Sequence, residues 1–252
     1  MISIKSNEEI ELMRHAGKVL ADVHMQVGEF IKEGVTTAQI NEFAQKIIEK
    51  NHCTPSFLGL YDFPAATCIS INEEVIHGIP SKKRIVKEGD LVSIDLGVCY
   101  KGYHSDAART HVVGKASKEK TDLVDRTRES FFKALDVCRE GNHISDIAKA
   151  ITDYITPFGY GIVYDYVGHG IGSAVHEDPE ISNFYTKDMK KGVKMREGMV
   201  LAIEPMINLG TPDVITDDLD GWTVTTADGK VSCHYENTVL ITNSKPEIFS
   251  LW

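Results

Sequence analysis

Between Leu91 and Val113 the chain alternates, with Val92, Ile94, Leu96 and Val98 falling on one side of an extended segment and Ser93, Asp95 and Gly97 on the other. A period of two predicts a strand with one buried face. Lys101-Gly102 follows, a two-residue hairpin turn in which glycine supplies the positive φ. The returning strand then pairs Asp95 with Ala108 and Gly97 with Asp106. This register makes the two acids diagonal neighbours on the polar face, roughly 7–8 Å apart at the backbone. It holds as long as no bulge shifts the pairing by one residue. Gly97, opposite Asp106, leaves the space above it open.

Helical patterns precede this hairpin and recur after it. Ser6 and Glu9 have capping-box spacing, and Ile10, Met13, Gly17, Leu20 and Val27 then share a helical face up to Glu33-Gly34. Thr36 and Gln39 open a second helix with Ile40, Phe43, Ala44 and Ile47 as its apolar stripe. The second half repeats the order. A helix from about Ser117 carries Leu123, Val124, Phe131, Ala134 and Leu135; Glu140-Gly141 ends it, and a further helix carries Ile147, Ile151, Tyr154 and Ile155. The phrase Glu88-Gly89-Asp90-Leu91-Val92-Ser93-Ile94-Asp95 likewise returns as Glu197-Gly198-Met199-Val200-Leu201-Ala202-Ile203-Glu204. The two helix-ending glycines and the two strand acids are separated by nearly equal lengths of chain, which points to duplication. Helices followed by strands in each half predict an α+β fold, an antiparallel sheet covered by helices with pseudo-two-fold symmetry. No Pro/Ser-rich linker divides residues 1–252, so a single domain is expected, with half-repeats of about 1–113 and 114–252.

Composition narrows the functional classes. The 252 residues are 42% hydrophobic and 25% charged, enough for a substantial core. A net charge of −10 without a Lys/Arg stripe argues against nucleic-acid binding. No apolar run reaches the ~18 residues of a membrane span, and the N-terminus lacks a signal-peptide core, so a cytoplasmic location is expected. Five scattered cysteines with no Cys-x-x-Cys pair suit neither a disulfide framework nor a structural zinc site.

The remaining acids and histidines suggest a metal centre. Glu204 and Glu236, the latter on a strand after the Asp228-Gly229 turn, add two carboxylates to Asp95 and Asp106. Four acids converging in an apolar sheet are costly to ionise unless cations lie among them, and divalent metals meet that need. His169 lies in a glycine-rich run, Gly168-His169-Gly170-Ile171-Gly172, where missing side chains allow close approach. His176 follows in Val175-His176-Glu177, and His77 repeats the His-Gly-Ile tripeptide.

These segments together resemble a known family, the type I methionine aminopeptidases of the pita-bread (creatinase-like) fold. The resemblance spans nearly the whole chain and rests on Ile94-Asp95-Leu96-Gly97, His104-Ser105-Asp106-Ala107-Ala108-Arg109-Thr110, the His169 loop, Ile203-Glu204-Pro205-Met206 and His234-Tyr235-Glu236-Asn237-Thr238, in order and at matching spacing. It implies a dinuclear hydrolase that removes the initiator methionine from nascent proteins and peptides. Asp95, Asp106, His169, Glu204 and Glu236 would hold two divalent ions, of Co, Mn, Fe or Zn, with Asp106 and Glu236 bridging. Glu204 would shuttle protons, while His77 and His176 would contact substrate. Transient proximity to ribosomes and a monomeric state are further expectations.

The side-chain pocket fits the family pattern least well. Phe57, Leu60 and Phe63 replace a Cys and two Tyr, Val175 replaces a Phe, and Cys68 and Trp222 are retained. The pocket stays apolar and suited to a thioether, with broader first-residue tolerance expected. An Xaa-Pro peptidase of the same fold is the rival. Those enzymes carry a further N-terminal domain, whereas this chain starts at the first pita-bread helix, and they place a histidine where Asp165 stands here. A pita-bread binding protein that has lost its metals is the non-enzymatic alternative, and the five ligand positions argue against it.

Overall fold

A computed structural model describes residues 2–251. Helix α1 (Asn7–Phe30) begins at the Ser6/Glu9 capping box, and α2 (Thr37–Lys50) begins at the Thr36/Gln39 box. The first helix stops at Phe30 rather than running to Gly34, because Ile31 turns extended; Gly34 then takes the positive φ of the connecting turn. Ser117 caps α3 (Lys118–Leu135), and the Asp146 carboxylate accepts from the His143 N–H at the start of α4 (Ile144–Ile155).

The Leu91–Tyr100 and Tyr103–Val112 strands pair without a bulge through ten residues, including Asp95 with Ala108 and Gly97 with Asp106. Their apolar face, with Val92, Ile94, Leu96, Val98 and Ala107, buries against α1 and α2. Leu123, Phe131, Ile147 and Ile151 of α3 and α4 pack in the same way on Leu201, Ile203 and Val239 of the second half. Each helix pair thus covers the outer face of its own half, and the polar inner faces meet.

The strands divide among four hydrogen-bonded sheets, two of them large, and every pairing among the described residues is antiparallel. The four-stranded sheet contains the hairpin and Cys68–Ile71. The five-stranded sheet contains Gly168–Gly170, Glu177–Ile181, Val200–Ile203 and Asn237–Leu240. Hydrogen bonds join the two along a seam beside the acids. The Thr238 hydroxyl accepts from the Asp106 N–H at 2.8 Å and donates to the Asp106 carbonyl at 2.9 Å. The Glu236 N–H donates to the Ala108 carbonyl at 3.0 Å. The buried Arg109 guanidinium donates to the Glu236 carbonyl and, at 2.5 Å, to Asn237 Oδ1. The seam therefore runs directly past two of the acids.

All five cysteines are unbridged, four of them buried. No described helix is long and apolar enough to cross a membrane.

Because the seam depends on a buried hydroxyl, Thr238→Val should destabilise the protein by about 1–3 kcal/mol, the usual cost of leaving a buried partner unsatisfied. Thr238→Ser, which keeps the hydroxyl, should lose less. Urea unfolding midpoints of the two variants measure the difference.

Candidate metal centre and substrate cleft

The seam brings the four acids together on the floor of a cavity of about 530 Å³, whose lining includes Asp95, Asp106, Glu204 and Glu236. Asp95 sits in mid-strand and Asp106 diagonally across the hairpin, as its register requires. Glu204 lies one residue beyond Val200–Ile203, where Pro205 interrupts the strand. The placement of Glu236 on a strand is corrected. It lies in the two-residue break between Ser232–His234 and Asn237–Leu240, where its own N–H is diverted to Ala108 and its carbonyl to Arg109.

His169 enters from the Gly168–Gly170 strand, which pairs with Val200–Ile203 on one side and Glu177–Ile181 on the other. The flanking glycines are steric necessities: a Cβ at Gly168 would lie 2.4 Å from the Ala202 carbonyl oxygen, and one at Gly170 would lie 2.2 Å from that of Asp178. His169 Nδ1 is 2.9 Å from the Gly170 carbonyl, so that nitrogen carries the hydrogen. Nε2 is left facing the acids, 3.6 Å from Glu204 Oε1.

The electrostatics are severe. Burial, reinforced by neighbouring carboxylates, pushes Asp95, Glu204 and Glu236 well above the ordinary carboxylate range. Burial also raises Asp106, although a backbone N–H and a hydrogen bond with Asp95 act against the rise. Asp95 Oδ1, Asp106 Oδ1 and Glu236 Oε1 are buried without a hydrogen-bond partner. Such groups rarely stay orphaned in proteins. Two clusters of potential donor atoms, Asp106/His169/Glu236 and Glu204/His234/Glu236, each fall within 4.8 Å and share Glu236. Oxygen-rich donors with an imidazole and orphaned lone pairs fit divalent transition-metal ions.

The two further histidines stand over this floor. His77 adopts a positive φ of 60°, a strained backbone that side-chain packing must hold in place. Its ring lies edge-on to Tyr166 and Trp222. Burial, with the charge of His176 second, lowers His77 to about 4. His176 packs edge-on against His169 at 4.5 Å, and burial lowers it too. The neighbouring Glu177 is tied to Lys5 Nζ at 2.6 Å, which anchors the loop.

Phe57, Leu60, Phe63, Cys68 and Trp222 line the same cavity, Phe63 meeting Trp222 edge-on at 5.0 Å. Val175 belongs to this apolar cluster but does not line the cavity, since it packs behind the wall. Tyr61, Tyr166 and His234 are additional neighbours that sequence patterns did not single out. Tyr61 stacks on His176 at 5.8 Å from a positive-φ turn that no local motif announces. His234 had a readable signal, being two residues from Glu236 and so on the same side of an extended segment.

With all four acids of the floor holding their protons more tightly folded than unfolded, their contribution should make the protein stripped of divalent ions stabler below the ordinary carboxylate range. That stability should fall as pH rises through the folded values, with Asp106 at about 7. Added Co²⁺ should restore stability, and more strongly near pH 7 than near pH 5, because protons compete for the same oxygens. Thermal melts with EDTA and with Co²⁺ across that range check the sign.

The model of the Metallopeptidase family M24 matches residues 11–243. A methionine aminopeptidase of Clostridium perfringens is 51% identical over 100% of this chain and 99% of its own, and methionine aminopeptidase 1 of Bacillus subtilis is 40% identical over 99% of each. The crystal structure of the Thermotoga maritima methionine aminopeptidase superposes with a TM-score of 0.96 at 40% identity, covering both chains completely. The Pyrococcus furiosus prolidase gives 0.80 at 26% identity, covering 99% of this chain and 65% of that one. The duplicated, helix-covered antiparallel fold thus has full-length counterparts, and the chain belongs to metallopeptidase family M24.

Proposed function

We propose that the protein is a dinuclear metalloaminopeptidase that removes the N-terminal methionine from polypeptides and peptides. The observation that carries this reading is the cavity itself: four carboxylates, Asp106 and Glu236 buried and Asp95 and Glu204 partly buried, form its floor with His169; His77 and His176 stand over them, and an apolar pocket of Phe57, Leu60, Phe63, Cys68 and Trp222 lies alongside. Asp95, Asp106, His169, Glu204 and Glu236 would hold the two ions. Bound divalent ions supply Lewis acidity at the scissile carbonyl and a water of lowered pKa.

The chain's own groups do the rest. Glu204 takes the proton of the attacking water and returns it to the departing amine nitrogen as the C–N bond breaks. His176 donates to the oxygen that gains negative charge, where a fixed donor in a dry site counts most. His77, neutral at physiological pH, holds the nitrogen side of the amide. The apolar pocket receives the first side chain and fixes which bond lies over the acids. A cytoplasmic location, work on nascent chains near ribosomes and a monomeric state complete the proposal, and full-length likeness to methionine aminopeptidases supports it.

Glu204→Gln and His77→Ala should each leave a folded protein with kcat/KM reduced about 10²–10⁴-fold on Met-Ala-Ser, in line with removal of an acid–base group. Full activity in either purified variant would refute its assigned role, and cleavage of Xaa-Pro peptides in preference to Met-Ala-Ser would favour the prolidase-like alternative.

The pocket predicts graded specificity. Its hydrophobic walls discriminate similar side chains by about 1–3 kcal/mol, so peptides beginning with norleucine or leucine should be cleaved within about 10–200-fold of methionine. A cleavage profile over peptides varied only at the first residue measures this, and a much steeper preference for methionine would contradict it.

A further inference from the structure

We infer that His234 is a sixth protein ligand of the metal centre, so that each of the two ions receives one imidazole. The inference rests on the dinuclear reading above and adds a donor to it.

His234 is 1% exposed, and neither of its ring nitrogens has a hydrogen-bond partner. A buried imidazole with both nitrogens unsatisfied is costly, and its neighbours show the usual remedy. His24 places Nε2 2.9 Å from the Ala107 carbonyl, and His169 places Nδ1 2.9 Å from that of Gly170. His234 instead lies with Nε2 3.4 Å from Glu204 Oε2, an approach that lacks hydrogen-bond geometry.

The arrangement around Glu204 is nearly symmetric. His169 Nε2 lies 3.6 Å from one carboxylate oxygen, and His234 Nε2 lies 3.4 Å from the other. The two donor clusters repeat the relation, each pairing one imidazole with carboxylates and both using Glu236. His169 reaches its place from a glycine-flanked strand of the five-stranded sheet. His234 reaches its place from the end of Ser232–His234, just before the strand is interrupted at Tyr235 and Glu236. Two unrelated elements therefore deliver the same nitrogen to opposite sides of one carboxylate. A purely structural histidine in this position would need a hydrogen bond that the fold does not provide. A second imidazole also changes the donor set to four carboxylates and two nitrogens, which favours Zn²⁺, Co²⁺ or Fe²⁺ over Mg²⁺ and Ca²⁺.

The test uses the full chain, stripped by chelator, ¹⁵N-labelled at histidine and titrated with Zn²⁺. The wild-type protein should take up two Zn²⁺, and the Nε2 resonances of both His169 and His234 should move to the metal-bound range. In equilibrium dialysis, His234→Ala and His234→Gln should retain one Zn²⁺ at wild-type affinity and bind the second at least about 10-fold more weakly, a loss typical of disrupted ligation. Uptake of two Zn²⁺ with only the His169 resonance moving would overturn the assignment of His234 while leaving the dinuclear reading intact. Variants that keep both affinities within about threefold would do the same. A wild-type protein that binds no Zn²⁺ or Co²⁺ would overturn the dinuclear reading and this inference together. The resonance measurement is made on the unaltered protein, so a variant that fails to fold does not remove the test.

Discussion

Four carboxylates share one buried floor, and the rest of the architecture can be read as the means of holding them there. Moving a single charged carboxylate out of water costs several kcal/mol even after relaxation. Here burial acts on all four, neighbouring carboxylates add repulsion at Asp95, Glu204 and Glu236, and each acid is pushed to hold its proton more tightly than an exposed one would. Such a cluster persists only if the backbone around it is fixed independently of it. The ten-pair hairpin fixes Asp95 and Asp106, and the Thr238 hydroxyl and Arg109 guanidinium bind the second half to the first beside them. The backbone is thus held rigid beside the acids it carries.

Duplication explains the cradle but not its chemistry. Both copies of the Glu-Gly-strand-acid phrase send an acid to the floor, yet they do so differently. Asp95 stays within a continuous strand and keeps its ladder partners. Glu204 follows the end of its strand, and Pro205 next to it has no N–H to donate. Glu204 consequently stands between two imidazoles, whereas Asp95 is held against Asp106. The pseudo-symmetric halves provide equivalent scaffolds, and local breaks in the strands make their acids unequal.

The apolar pocket illustrates a different kind of dependence. Phe57, Leu60 and Phe63 come from a short irregular segment with positive φ at Tyr61 and Asp62, and Trp222 comes from a turn far along the chain. Neither segment has a periodic pattern. Their meeting is decided by the sheets that carry them, which is why Val175, adjacent in sequence to His176, ends behind the wall while Tyr61 ends on His176.

What the chain by itself determined is whatever depends on local periodicity: the four amphipathic helices, the capping boxes at Ser6 and Thr36, the hairpin register through Lys101-Gly102, and hence the diagonal of Asp95 and Asp106. A period of two or 3.6 assigns each residue to a face without knowledge of the partner. Only the tertiary structure decided the break that carries Glu236, the convergence of His169 and His234 on Glu204, and the composition of the pocket wall. Those features arise where strands end and sheets meet, so they are governed by hydrogen bonds and packing between residues more than a hundred positions apart, such as Asp106 with Thr238 and Arg109 with Glu236. Periodicity contains no information about such distant partners.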